Sequence, residues 1–183
     1  MRALVELLLS TGLRISEAIS LTRDPFDAGR TEIEVIGKGK KPREVFLNSR
    51  TCYWIREYIN KRTDDHPALF ITTGFPPRVL KRDDVSRVFK YIKRRAHLHK
   101  TFTPRILRHT FCTNLLFNGA DITHIRDLAG HQDIQTTARY YLGKNPNVLR
   151  DVVAKHLNYG LPTDQVNASR KSVEDRPLLT VGA

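Results

Sequence analysis

Six side chains stand out by type and placement: Arg14, Lys38, Arg105, Arg108, His131 and Tyr140. Arg14 follows a Thr11-Gly12 turn, and Lys38 sits between Gly37 and Gly39. Arg105 and Arg108 are three residues apart, so on a helix they share a face. His131 follows Gly130 between two helical stretches, and Tyr140, beside Tyr141, closes the second. Cations of this kind grip polyanions, and arginine adds a planar, permanently charged fork that suits phosphate. Taken singly, each has a plainer use: a surface ion pair for Arg14, a turn lysine for Lys38, a cap for His131, a core aromatic for Tyr140.

The whole chain leans the same way. Its 183 residues carry 31 Lys+Arg against 19 Asp+Glu, a net charge of +12 and a pI of about 10.0. That excess points to a polyanion, nucleic acid first. Between residues 78 and 108 there are eleven Lys/Arg and two acids, a run that also reads as a solvated face. Apolar residues make up 40%, enough for a core and too many for a wholly disordered chain. Cys52 and Cys112 are the only cysteines, which excludes a disulfide scaffold and fits a reducing compartment. No stretch approaches the ~18 apolar residues of a membrane span, and Glu6 breaks the short N-terminal apolar run that a signal peptide would need. The expectation is a soluble, cytoplasmic, nucleoid-associated protein with no membrane partner. There is no Walker loop, no GxGxxG, no paired-cysteine zinc pattern and no acidic cluster for two metal ions. His97 and His99 form a weak metal pair, read as surface histidines; no metal or cofactor is expected.

The elements that must hold these residues follow from periodicity. Residues 3–9 predict a helix stopped by Gly12, and 14–21 a second with Ile15, Ala18 and Ile19 on one face. Asp24-Pro25 and Ala28-Gly29 read as loop. Over residues 31–47, Ile33/Val35 and Val45/Leu47 alternate with polar neighbours around a basic, glycine-rich tip, which predicts a β-hairpin. Helices are expected over 51–61 and 83–96. Thr103 caps a helix with Pro104 in its first turn, running to about 118, and Asp121 caps a short one ended by Gly130. Two more are expected over 133–142 and 146–156. Residues 162–183 read as a tail, ordered only when docked. The fold class is mainly α with a small antiparallel β-sheet (α+β): one domain over 1–161, then the tail.

Four segments, in order, carry a resemblance: 11–17 (TGLRISE), 35–40 (VIGKGK), 103–111 (TPRILRHTF) and 128–141 (LAGHQDIQTTARYY). Together they resemble the catalytic domain of tyrosine recombinases, the Xer-like phage and mobile-element integrases, over roughly residues 1–157. The resemblance implies site-specific cleavage and rejoining of double-stranded DNA. Arg14 and Arg108 would grip the non-bridging oxygens and gain most as charge builds in the transition state. Tyr140 would attack phosphorus, leaving a 3′-phosphotyrosyl link and a free 5′-hydroxyl. Lys38 would protonate the leaving oxygen, and His131 would bond the phosphate or help deprotonate Tyr140. The link conserves the bond energy, so no nucleotide is needed, and arginines stand where a metal would supply charge. Lys40 and Lys41 compete with Lys38, and Tyr141 with Tyr140, but the family's pattern selects Lys38 and Tyr140. Glu17 and Asp127 are candidate partners for the arginines, and His109 reads as structural.

One position departs from the family: Arg105 stands where a histidine is usual. Arginine stays protonated, so it cannot be a general base; Arg105 is expected to be a third phosphate-binding cation. The resemblance also implies an N-terminal helical clamp domain, for which there is no room before Arg14, so DNA binding is expected to be weak, poorly discriminating and salt-sensitive. Self-association into a four-subunit synapse on DNA is expected. The apolar side at Val148, Leu149, Val152, Val153 and Leu157 has two open readings, a neighbouring subunit or the chain's own core. Two rivals are a helix-turn-helix regulator built on residues 121–141 and a type IB topoisomerase-like strand transferase.

Overall fold

The computed structural model describes residues 1–37, 39 and 41–131. In chain order these form α1 (Arg2–Thr11), α2 (Ile15–Ile19), α3 (Asp24–Asp27), β1 (Glu32–Ile36), β2 (Pro42–Phe46), α4 (Ser49–Asn60), α5 (Arg82–Arg95), α6 (Pro104–Phe117) and α7 (Ile122–Ala129). The expected helices over 133–142 and 146–156, and the tail, lie outside the described residues.

Helix α1 is the hub, packed against both α4 and α6. Its Leu4, Leu7 and Leu8 are fully buried, each stabilising the core by about 1.5–3 kcal/mol relative to exposure. Ile33, Val35, Val45 and Leu47 of the hairpin arms, Ile55 of α4, Val85 and Phe89 of α5 and Leu107 of α6 join the same cluster. A second, smaller cluster joins α6 to α7 through Cys112, Ile125 and Ala129.

Local chemistry sets the element ends. Asn48 accepts the Thr51 N–H at 2.8 Å, Thr103 the Ile106 N–H at 3.3 Å, and Asp121 the Thr123 N–H at 2.7 Å, each satisfying an orphan donor of a first turn. Gly12 and Gly130 end α1 and α7 at φ 62° and 65°, a left-handed conformation costly for a side chain. The strands pair antiparallel, with Val35 opposite Arg43 and Ile33 opposite Val45. One reading needs correction: the Asp24-Pro25 stretch is not loop but the single turn α3, with Pro25 in its first turn and the Ala28 N–H bonded to Asp24 O at 3.1 Å. Proline at that position costs no hydrogen bond, so it starts a turn as readily as it breaks one. None of the described helices is long and apolar enough to cross a membrane.

Candidate functional site

The site forms where the C-terminus of α7 meets the starts of α2 and α6. The last carbonyls of a helix have no intrahelical partner and carry the negative end of its dipole. Two arginines take these positions. Arg14 Nη2 donates to Gly130 O at 2.7 Å, and Arg108 Nη2 donates to Ala129 O at 2.6 Å. Arg108 Nη1 also donates to Gly12 O at 2.6 Å. Residues 116 and 21 positions away from their acceptors are thereby pinned to consecutive carbonyls. The two glycines have a packing role as well. A β-carbon at Gly12 would collide with the Phe111 ring, and one at Gly130 would lie 2.9 Å from Arg43 Cζ.

Glu17 is the counterion at the centre. Its Oε1 accepts from Arg14 Nη1 at 2.9 Å and Arg43 Nη1 at 3.1 Å. Its Oε2 accepts from Arg14 N and Arg43 Nη2, both at 2.8 Å. Burial alone would push this carboxyl up, but the hydrogen bonds from Arg43 and from the Arg14 N–H outweigh it and hold it below the usual carboxylate range. Among the described residues, one carboxylate therefore binds the guanidiniums of Arg14 and Arg43 and acts by its charge on that of Arg108. The imbalance is felt by the neighbours. Burial, then the charge of Arg14, lowers Arg108 to about 10. Burial, then Arg108, Arg14 and Arg43, lowers His131 to about 4. At neutral pH Arg108 is charged and His131 is neutral. Beside them opens a cavity of about 570 Å³, lined by Gly37, Lys41 and Arg43 of the hairpin and Arg126, Asp127 and His131 at the end of α7.

The structure thus brings together Arg14, Arg108 and His131, three of the six residues singled out from sequence. Arg105 sits one turn before Arg108 on α6 with its side chain exposed. Lys38 and Tyr140 lie outside the described residues, as do their competitors Lys40 and Tyr141. Glu17 partners Arg14 as expected. Asp127 also partners an arginine, but its neighbour Arg126, at 2.7 Å, and not Arg14 or Arg108; it is exposed on α7, where Ile125 and Ala129 take the buried face. Sequence reading missed Arg43. The signal was present in the hairpin: Arg43 shares its parity with Val45 and Leu47, the core-facing residues of that arm, and a charge on the buried side of an alternating strand calls for a partner.

A compact, mainly helical domain with one hairpin, and arginines from two distant segments on one helix end, defines a class that sequence comparison identifies. Residues 1–147 match the phage integrase family, and the chain belongs to it. Within it, the chain is 36% identical over 143 residues to the tyrosine recombinase XerC of Chlamydia pneumoniae, a match that covers 76% of this chain and 46% of that protein. The crystal structure of the XerA recombinase superposes with a TM-score of 0.72 at 30% identity, over 84% of this chain and 57% of that one. The fold is also that of the Tn1549 transposon integrase solved in complex with circular intermediate DNA: TM-score 0.69, 24% identity, 84% of this chain and 58% of that one. The chain spans about half the length of the XerC relative it matches.

Proposed function

We propose that this chain carries the catalytic centre of a site-specific tyrosine recombinase acting on double-stranded DNA. The observation that supports it most is the convergence of Arg14, Arg108 and neutral His131 on the α7 terminus around a single carboxylate. A cluster with more guanidinium than carboxylate suits a phosphodiester, whose anionic oxygens would take the remaining donors and draw charge into the transition state. In this reading Tyr140 attacks phosphorus, the 5′-oxygen leaves, and the phosphotyrosyl bond holds the energy for rejoining to a new 5′-hydroxyl. Lys38, carried between Gly37 and Gly39, gives the departing oxygen its proton. Neutral His131 is able to accept a proton or to donate to the phosphate, and Arg105 adds a third cation in place of the usual histidine. Residues 1–161 form the catalytic domain and 162–183 a tail. Subunits assemble on DNA, where the nucleoid is the working location, and neither metal nor nucleotide enters the reaction. Shared ancestry with recombinases over residues 1–147 supports this reading over a helix-turn-helix regulator.

A nicked suicide duplex tests it. The expected result is a protein–DNA adduct that survives a denaturing gel and is lost in Tyr140→Phe. A reversible gel shift with no adduct favours the regulator instead. Relaxation of supercoiled DNA without strand exchange favours the topoisomerase-like enzyme.

A further inference from the structure

We propose that Arg43 is a positioning residue for this site: its fork on Glu17 fixes the carboxylate that orients Arg14, and ties the hairpin arms to the Gly130–His131 turn. The inference rests on the reading of the site as a phosphoryl-transfer centre.

Four observations carry it. Arg43 projects from the core-facing side of β2, opposite Val35, and its side chain is only 13% exposed. Its two terminal nitrogens bind the two Glu17 oxygens in parallel, at 3.1 and 2.8 Å, the arrangement that fixes a carboxylate in both position and plane. The same carboxylate receives the Arg14 side chain and the Arg14 N–H, so its plane sets where the Arg14 guanidinium lies. The guanidinium of Arg43 also packs directly against Gly130, the residue whose carbonyl takes Arg14 and whose successor is His131. A single side chain therefore touches the hairpin, the start of α2 and the end of α7. Near the tip of that hairpin, Gly37 N–H bonds to Lys41 O at 2.9 Å, and a β-carbon at Gly37 would stand 3.2 Å from Arg43 Nη1. The segment that the sequence arms with Lys38 thus departs from a base held by Arg43. Lysine would keep the charge but not the fork.

Full-length Arg43→Lys and Arg43→Gln variants separate positioning from mere folding. Single-turnover adduct formation on the suicide duplex is measured at limiting and saturating DNA. The saturating rate is expected to fall about 100-fold in Arg43→Gln and about 10-fold in Arg43→Lys, the scale of a misplaced reacting group. DNA affinity is expected to stay within about threefold, since phosphate contacts elsewhere dominate it. A second readout needs no DNA. His131 faces Arg14, Arg43 and Arg108 and shares its cavity with Lys41, Arg126 and Asp127. Removing the Arg43 charge is expected to raise the NMR titration midpoint of the His131 imidazole in Arg43→Gln and to leave it in place in Arg43→Lys. A saturating rate in Arg43→Lys equal to the parent, or a His131 midpoint unmoved in Arg43→Gln, overturns the proposal. If the parent protein itself forms no adduct, the phosphoryl-transfer reading fails, and Arg43 is judged by the His131 titration alone: a rise supports its placement, no change overturns it.

Discussion

Two arginine clusters in this molecule use the same chemical parts to opposite ends. In the loop after α4, Arg62 is buried to 4% exposure and donates to the carbonyls of His66, Ala68 and Leu69 and to both oxygens of Asp64. Its hydrogen bond to Asp64 raises its pKa, and the same bond holds Asp64 down to about 2. One cation meets one anion, and each guanidinium nitrogen has protein acceptors. At the α7 terminus, Arg14 and Arg43 bind Glu17 and Arg108 feels its charge, the one carboxylate among the described residues that these three share, and Arg108 moves the other way, down to about 10. The Arg62 cluster closes its own loop and is electrically balanced, whereas the α7 cluster joins distant segments and, among the described residues, holds excess positive charge. A guanidinium that completes a fold is saturated by the fold. One that serves a ligand is held in place while part of its charge stays uncompensated, and a cluster kept in that state costs stability that a bound anion restores.

The sharpest break of this comparison is in activity. Arg108→Ala should reduce adduct formation by about 10³-fold, the scale for loss of one preorganised charge partner in the transition state. Arg62→Ala should leave the rate per folded molecule within about twofold, because that side chain meets only its own loop.

Stability should show the reverse order. Removing Arg62 takes the donor from the carbonyls of His66, Ala68 and Leu69 and leaves Asp64 with the His66 N–H in place of its ion pair, and urea denaturation should show a loss of about 2–4 kcal/mol. Arg108→Met strands two carbonyls but relieves repulsion with Arg14 and Arg43, and should cost less than half as much. Inorganic sulfate should raise the denaturation midpoint of the parent and of Arg62→Ala and do less for Arg108→Met, since Arg108 belongs to the proposed anion site and Arg62 does not.

The smallest effect is on pH. An unfolded histidine titrates near ~6.5, whereas His131 in the native protein is held down to about 4. Between these values the unfolded chain binds a proton that the native state refuses. The contribution is fully present above pH 6.5 and is lost as pH falls toward 4. Between pH 7 and 5 the parent should lose about 1 kcal/mol more than His131→Asn, a figure already reduced for the partial solvent exposure of the ring.

Most of the frame was legible in the sequence for local reasons. Thr103-Pro104, Asp121, Gly12 and Gly130 act within one turn of where they stand, and strand parity sorted Ile33, Val35, Val45 and Leu47 to the core. The pairing of Arg14 with Glu17 spans a single helical turn and was visible as a candidate. The attachment of Arg14 and Arg108 to the α7 carbonyls was not, because hydrogen bonds across 116 and 21 residues leave no periodic trace; only the resemblance brought the segments together. Arg43 was lost in a basic run with Lys38, Lys40 and Lys41, where charge suggested a solvated turn and parity pointed inward. Which arginine Asp127 would meet was not legible: it pairs with its neighbour Arg126, because the buried face of α7 runs through Ile125 and Ala129.

The central claim is that the α7 cluster, and not basic charge in general, drives phosphoryl transfer to Tyr140. It is tested most directly by following adduct formation on one suicide duplex with the parent, Arg108→Ala, Arg62→Ala and Tyr140→Phe side by side, and by mapping the adducted peptide. The expected result is adduct on the peptide containing Tyr140 in the parent and Arg62→Ala, and none above background in Arg108→Ala or Tyr140→Phe. Adduct formed by Arg108→Ala at the parent's rate, or carried on another residue, would contradict the account.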